Sequence, residues 1–139
     1  MEFNLKTGTP EKQRGACLVI AVTQPRKLSE AGKLLDKASG GFISTIIRKG
    51  DMDGEPGQTL FLHNIPGILA DRVLLIGCGK EKSLTERSFS RIINSMQDAL
   101  ANSGASDAHS YLGDLVIDGH DKLWNIRHTV MKMSNGEYR

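Results

Sequence analysis

Four cations around a pair of glycines form the strongest candidate for chemistry in this sequence. They are two lysines and two arginines: Lys80, Lys82, Arg87 and Arg91. Gly77 and Gly79 come just before them, and a long helix is predicted to begin among them. A helix N-terminus presents unpaired amide groups and a positive partial charge, so with four cations it can in principle bind an anion or contact DNA. The alternative is a solvated basic surface balanced by Glu81 and Glu86, since most charge runs lie in solvent.

The glycines do not complete a nucleotide-binding motif. Gly77 and Gly79 match the start of a dinucleotide fingerprint, but Lys82 occupies the third glycine position. No acid follows at a suitable strand end about 20 residues later. A P-loop would need GxxxxGK followed by Ser or Thr, which the segment lacks. We therefore interpret the two glycines as a tight turn from a strand into a helix.

No catalytic or metal-binding constellation is visible. The histidines lie on different predicted elements without an HxxxH or HExxH pair, and they are His63, His109, His120 and His128. Asp51, Asp53 and Glu55 cluster in a predicted exposed turn and lack the ligand pattern of an EF-hand. Cys78 precedes a helix N-terminus, where a thiolate would be favoured, but no histidine is close in sequence to act as its base.

The elements that would position these residues alternate between strands and helices. Apolar or alternating runs predict strands at residues 2–6, 16–22, 59–63, 72–76 and 108–112, with a further short strand at 115–117. Helical spacing predicts a helix capped by Ser29 that ends near residue 38, a second at 42–49 and a last one at 121–133. Trp124, Ile126, Val130 and Met133 are the predicted inward residues of that last helix.

The longest helix follows the strand at 72–76. Ser83 and Glu86 read as its capping box. An apolar stripe runs from Phe89 to Leu100, and Gly104 supplies the stop. Strands 59–63 and 72–76 are too close in sequence for a helical crossover, so we expect them to be antiparallel neighbours. The pattern predicts an α/β fold with three α/β/α layers, in which helices flank both faces of a mixed sheet.

Composition describes an ordinary soluble domain. The 139 residues are 39% hydrophobic and 24% charged with a net charge of +2, enough for one core and too little basic excess to imply a nucleic-acid partner. Cys17 and Cys78 lie in or beside predicted buried strands and are expected to be reduced core thiols. No apolar run approaches the roughly 20 residues that span a bilayer, and no signal peptide is recognisable, so no membrane partner is expected.

Several segments resemble the N-terminal domain of bacterial leucyl aminopeptidases, also called cytosol aminopeptidases. They are Met1-Glu2-Phe3, Pro10-Glu11-Lys12-Gln13-Arg14, Gly57-Gln58-Thr59-Leu60-Phe61-Leu62-His63 and Arg72-Val73-Leu74-Leu75-Ile76-Gly77-Cys78-Gly79-Lys80. Trp124, Arg127 and the terminal Tyr138-Arg139 fit the helix that closes that domain. The last residues look like an arbitrary end, as if a longer protein had been cut.

The resemblance implies a macro-like domain over residues 1–139 that is itself non-catalytic and supports assembly and active-site access. It implies a missing C-terminal domain that binds two divalent metals, zinc or manganese, and removes N-terminal amino acids from peptides. It also implies a cytoplasmic homo-hexamer. None of the family's catalytic or metal-binding motifs occurs here, so no catalytic or metal residue is assigned and no cofactor is expected in this fragment.

Two alternatives stay open. Some bacterial members bind DNA as accessory factors in recombination and transcription control, so this domain could be a DNA-binding module. The macro-like fold and the pair Gly40-Gly41 suggest a second alternative, an ADP-ribose-type ligand. Against that ligand, the first central strand runs into Val22-Thr23-Gln24-Pro25 with no acid placed for an adenine.

Overall fold

The computed structural model describes residues 1–81 and 84–137, with side chains described as far as Met133. The strands are β1 (Glu2–Leu5), β2 (Leu18–Gln24), β3 (Lys27–Leu28), β4 (Thr59–His63), β5 (Arg72–Lys80) and β6 (Asp107–Ser110). The helices are α1 (Glu30–Ala38), α2 (Phe42–Ile46), α3 (Glu86–Ser103) and α4 (Lys122–Glu137). A 3-10 turn (Pro10–Lys12) precedes β2, and a π-helical turn (Ile47–Asp51) extends α2.

The strands form one mixed sheet in the order β1-β6-β2-β5-β4, with β3 paired to β2. Pairs β1–β6, β6–β2 and β2–β5 are parallel. Pairs β4–β5 and β2–β3 are antiparallel. The predicted antiparallel pairing of the strands at 59–63 and 72–76 is therefore confirmed.

The core lies on both faces of the sheet, because successive side chains of β2 and β5 point to opposite sides. Val19 and Leu74 pack with the buried face of α3, which includes Phe89 and Ile93. On the other face, the apolar residues of β2 and β5 pack with Leu35 of α1 and with α2. Helices thus cover both faces, which confirms the predicted three-layer α/β/α architecture.

The predicted glycine turn after residue 76 is wrong, since β5 continues through Gly77, Cys78 and Gly79 to Lys80. Residues 54–58 lie against this end of the strand: Gly77 N donates to Gln58 O at 2.7 Å and Gly79 N donates to Gly54 O at 2.7 Å. A Cβ on Gly77 would collide with the Glu55 carbonyl oxygen. The glycines therefore allow two backbones to come close, a contact that local sequence does not reveal.

The start of α3 also differs from the prediction. Thr85 is the N-cap, and its hydroxyl accepts from Ser88 N at 3.1 Å while Ser88 Oγ accepts from Thr85 N at 2.8 Å. Ser83, the predicted cap, lies outside the described residues. Glu86 is the first helical residue and does not close the capping box. At the other end, Gly104 has a φ of 74°, as its predicted role as a left-handed cap requires.

The region after β6 contains two further corrections. Residues 115–117 form no strand but a loop that leads to α4. Val130, predicted to face inward on α4, is 48% exposed. The completely buried positions of this helix include two polar residues, Asn125 and Thr129.

Candidate functional site

The predicted cation group lies at the carboxyl end of β5 and the first turns of α3. Lys80 is exposed at the end of β5, and Arg87 and Arg91 are exposed on α3. Lys82 lies outside the described residues. Within the described part of the chain, none of these three cations forms an ion pair. The nearby Glu86 instead contacts His120, whose Nε2 lies 2.7 Å from Glu86 Oε1.

Two features limit this group as an anion pocket. The amide of Ser88 at the start of α3 is already occupied by the Thr85 hydroxyl. The stem of Arg91 lies over the loop before β4, since a Cβ on Gly57 would be 3.0 Å from Arg91 Cγ. The cations thus form an exposed basic surface, and their contact with an anion or with DNA stays a prediction.

A cleft of about 590 Å³ lies at the carboxyl ends of β2, β5 and β6, beside the N-terminus of α1. In open α/β sheets ligands bind at such an edge. Its charged lining is two lysines and three carboxylates: Lys27, Lys33, Glu30, Glu81 and Asp114. Lys33 Nζ lies 3.4 Å from Glu30, and Asp114 lies 2.6 Å from Lys122. Among the described residues the carboxylates that line this cleft outnumber the lysines, and one of the two lysines is already paired with Glu30, which does not favour a diphosphate such as that of ADP-ribose.

Both cysteine thiols are free and buried, at 0% and 1% exposure for Cys17 and Cys78. Burial raises the pKa of Cys17 to about 11, although the nearby Arg72 partly opposes this shift. Burial likewise raises the pKa of Cys78 to about 12. Since the thiolate is the nucleophile, neither side chain is reactive at neutral pH. The interpretation of both residues as core thiols is confirmed.

The acidic turn is organised by a residue that sequence analysis missed. The Gln58 side-chain oxygen accepts hydrogen bonds from the backbone amides of Asp53, Gly54 and Glu55 at 2.9–3.2 Å. Asp53 in turn accepts from the Gln24 amide at 2.9 Å. Among the described residues, no group of three or more His, Cys, Asp or Glu side chains is arranged to hold a metal ion. The turn therefore has a structural role, as a support for the end of β5.

The start of α4 carries an aromatic column, defined here as His120, Trp124 and His128. The His120 and Trp124 ring centroids are 4.1 Å apart, and those of Trp124 and His128 are 3.9 Å apart. Trp124 also contacts Phe89 of α3 at 5.5 Å. The spacing of four residues between these rings is visible in the sequence, but a search for the metal patterns HxxxH and HExxH does not detect it. The column joins α4 to α3.

The relatives of this sequence decide its family. Residues 19–139 match the N-terminal domain of the cytosol aminopeptidase family. A protein of Thioalkalivibrio sulfidiphilus named "Probable cytosol aminopeptidase" is 53% identical over 130 residues, which are 94% of this chain and 26% of that protein. The chain belongs to the cytosol aminopeptidase family. The resemblance found in the sequence is therefore confirmed.

Within this family, the chain corresponds to the N-terminal domain and spans about a quarter of the length of the curated relatives it matches. A mutant of tomato leucine aminopeptidase has a similar fold, with a TM-score of 0.63 and 20% identity over 94% of this chain and 27% of that one.

The macrodomain of Mycobacterium tuberculosis DarG also shares the fold, with a TM-score of 0.70 and 8% identity over 96% of this chain and 90% of that one. The predicted macro-like architecture is thus confirmed for this aminopeptidase domain. None of its described helices is long and apolar enough to span a bilayer.

Proposed function

We propose that residues 1–139 are one non-catalytic domain of a longer aminopeptidase, and that this domain supports assembly and limits access to the active sites. The observation that carries the proposal is the extent of the match: 94% of this chain at 53% identity aligns with only 26% of the relative.

The longer protein would act as a metallo-exopeptidase in the cytoplasm. Its missing domain would bind two divalent metals, manganese or zinc, and remove N-terminal residues from peptides. Six copies would assemble into a hexamer. Membership of the family supports this proposal, in which no ligand residue is required from this domain.

Hydrolysis of leucine p-nitroanilide with Mn²⁺ or Zn²⁺ tests the proposal. The 139-residue chain should give no turnover. A fusion in which it replaces the matching segment of the Thioalkalivibrio sulfidiphilus relative should hydrolyse the substrate. Metal-dependent turnover by the purified chain alone, or an inactive but folded fusion beside an active relative, would contradict the proposal.

A second candidate is an accessory DNA contact in the assembled protein. The supporting observation is that Lys80, Arg87 and Arg91 are exposed and have no carboxylate partner among the described residues. Phosphate contacts need such uncompensated cations. A few contacts on one domain bind weakly, but several copies on one assembly would raise the affinity through effective concentration.

A further inference from the structure

Helix α4 buries two polar residues and leaves three large apolar residues exposed. Asn125 and Thr129 are completely buried. Asn125 Nδ2 donates to Leu112 O at 3.0 Å and to Leu115 O at 2.7 Å, and the Thr129 hydroxyl donates to Asn125 Oδ1 at 3.1 Å. These bonds use the inner side of the helix to hold the loop after β6. The same side also contributes Met133 to the core cluster on the α3 face of the sheet, with Trp124 packed against that cluster.

The opposite side of the helix, called here the outer face of α4, consists of Leu123, Arg127, Val130 and Met131. Leu123, Val130 and Met131 are 49%, 48% and 54% exposed. Their spacing of i, i+7 and i+8 places them on one stripe, and Arg127 lies between them. Single exposed apolar residues are common, but a stripe on one helix face is typical of an interface.

Beside this stripe is a groove of about 460 Å³ that is lined in part by Leu123, Trp124, Arg127 and Met131. Arg127 is exposed and makes no ion pair with any described carboxylate. A covering surface that is apolar with one carboxylate would match both the stripe and this cation.

We propose that the outer face of α4 is the docking surface for the part of the longer polypeptide that follows this domain. The inference rests on the proposed function, in which most of the protein lies beyond the matched segment; the relatives and the tomato enzyme are matched over only 26–28% of their length. In that protein the polypeptide continues from α4, the helix that carries this face. The tether raises its effective concentration there.

Thiol labelling at position 131 tests whether the polypeptide that follows this domain covers the outer face of α4. The native thiols are buried, so in Met131→Cys the new thiol is the accessible one. Its maleimide labelling rate is compared in the 139-residue chain and in the fusion described above, and is read by mass spectrometry on the peptide that carries it. Leu69→Cys is the matched control, because Leu69 is 49% exposed in the loop between β4 and β5.

We expect labelling of Met131→Cys to slow by about tenfold or more in the fusion, because a covered thiol reacts only during local opening. Leu69→Cys should change by less than about twofold. Unchanged labelling at position 131, or equal protection at both positions, would overturn the docking surface. Protection in the isolated chain that grows with protein concentration would also overturn it, since the occupant would be a second copy.

The peptidase assay separates this proposal from the one on which it rests. An active fusion with rapid labelling at position 131 would refute the docking surface and leave the proposed function intact. A folded but inactive fusion with protection at position 131 would refute the proposed function and leave the docking surface intact. If the fusion is insoluble, a cysteine at the aligned position of the intact Thioalkalivibrio sulfidiphilus relative is labelled instead. Slow labelling there would support the docking surface, and rapid labelling would refute it.

Discussion

Substitution of Gly77 by alanine should test how residues 54–58 pack on β5. In the structure Gly77 N donates to Gln58 O at 2.7 Å, and Gly57 N donates to Gly77 O at 3.0 Å. A Cβ at position 77 would meet backbone atoms of Gly54 and Glu55, including the Glu55 carbonyl oxygen. Backbone cannot rotate away as a flexible side chain can, so the loop must move and both hydrogen bonds must stretch or break.

The expected cost follows from these two effects. Each lost backbone hydrogen bond costs about 0.5–1.5 kcal/mol, and overpacking of a tight site costs about 1–3 kcal/mol. We therefore expect Gly77→Ala to lower the free energy of unfolding by about 2–6 kcal/mol. For a domain of this size the urea midpoint should fall by about 1 M or more.

Gly113→Ala is the matched control. Its added Cβ would have Ile126 Cγ1 at 3.9 Å as its nearest neighbour, which is an ordinary contact, and its φ is not positive. A neutral or slightly stabilising effect, up to about 1 kcal/mol, is expected because alanine restricts the unfolded chain.

Urea unfolding followed by circular dichroism and by fluorescence of Trp124, the single tryptophan, measures both variants. If the Gly77→Ala midpoint lies within about 0.3 M of that of Gly113→Ala, the close approach of residues 54–58 to β5 is refuted.

Three further predictions concern the core, the thiols and the cations. Ile93→Ala removes a completely buried side chain and should cost about 2–4 kcal/mol in urea unfolding, where a loss below about 0.5 kcal/mol would refute the packing of α3. Because burial raises the pKa of Cys78 from 9.0 to about 12, the unfolded state loses that proton first; the free energy of unfolding should fall as pH rises above about 9, and less steeply in Cys78→Ala. If the free energy of unfolding of Cys78→Ala falls with pH as steeply as that of the unsubstituted chain, the loss of stability comes from other groups. In a mobility-shift titration with duplex DNA, the logarithm of the binding constant is plotted against the logarithm of the salt concentration. Phosphate contacts by all four cations would give a slope of about −3.6, and Arg87→Ala/Arg91→Ala should reduce it to about −1.8. Salt-sensitive binding that the double variant leaves unchanged would place the DNA contact elsewhere.

Local patterns predicted the elements whose signals lie within one turn or one strand. Ser29 caps α1 as expected, with its hydroxyl accepting from Gly32 N at 3.2 Å. Leu100 and the rest of the predicted stripe of α3 are buried. The strand at 59–63 was predicted with the bounds that the structure has. These signals succeed because capping and helical periodicity are short-range properties of the chain.

Patterns failed where a distant segment decides the environment. Gly77 and Gly79 read as a turn, but the loop at residues 54–58 uses their small size to extend the sheet. Val130 has the apolar side chain of a core residue, yet it is exposed while Asn125 is buried against the carbonyl groups of the loop after β6. The candidate cations were visible in the sequence, whereas the turn of Glu86 toward His120 was not.

The sequence by itself determined the fold class, the family and the buried state of Cys17 and Cys78, because each depends on patterns carried by continuous segments. The tertiary structure decided the role of the glycines in β5, the inward face of α4 and the partner of Glu86. Each of these depends on atoms far apart in the chain, for example the contact between Gly77 and Glu55. The sequence shows that Met131 is apolar, and only the spatial arrangement shows that its side chain is 54% exposed among the described residues.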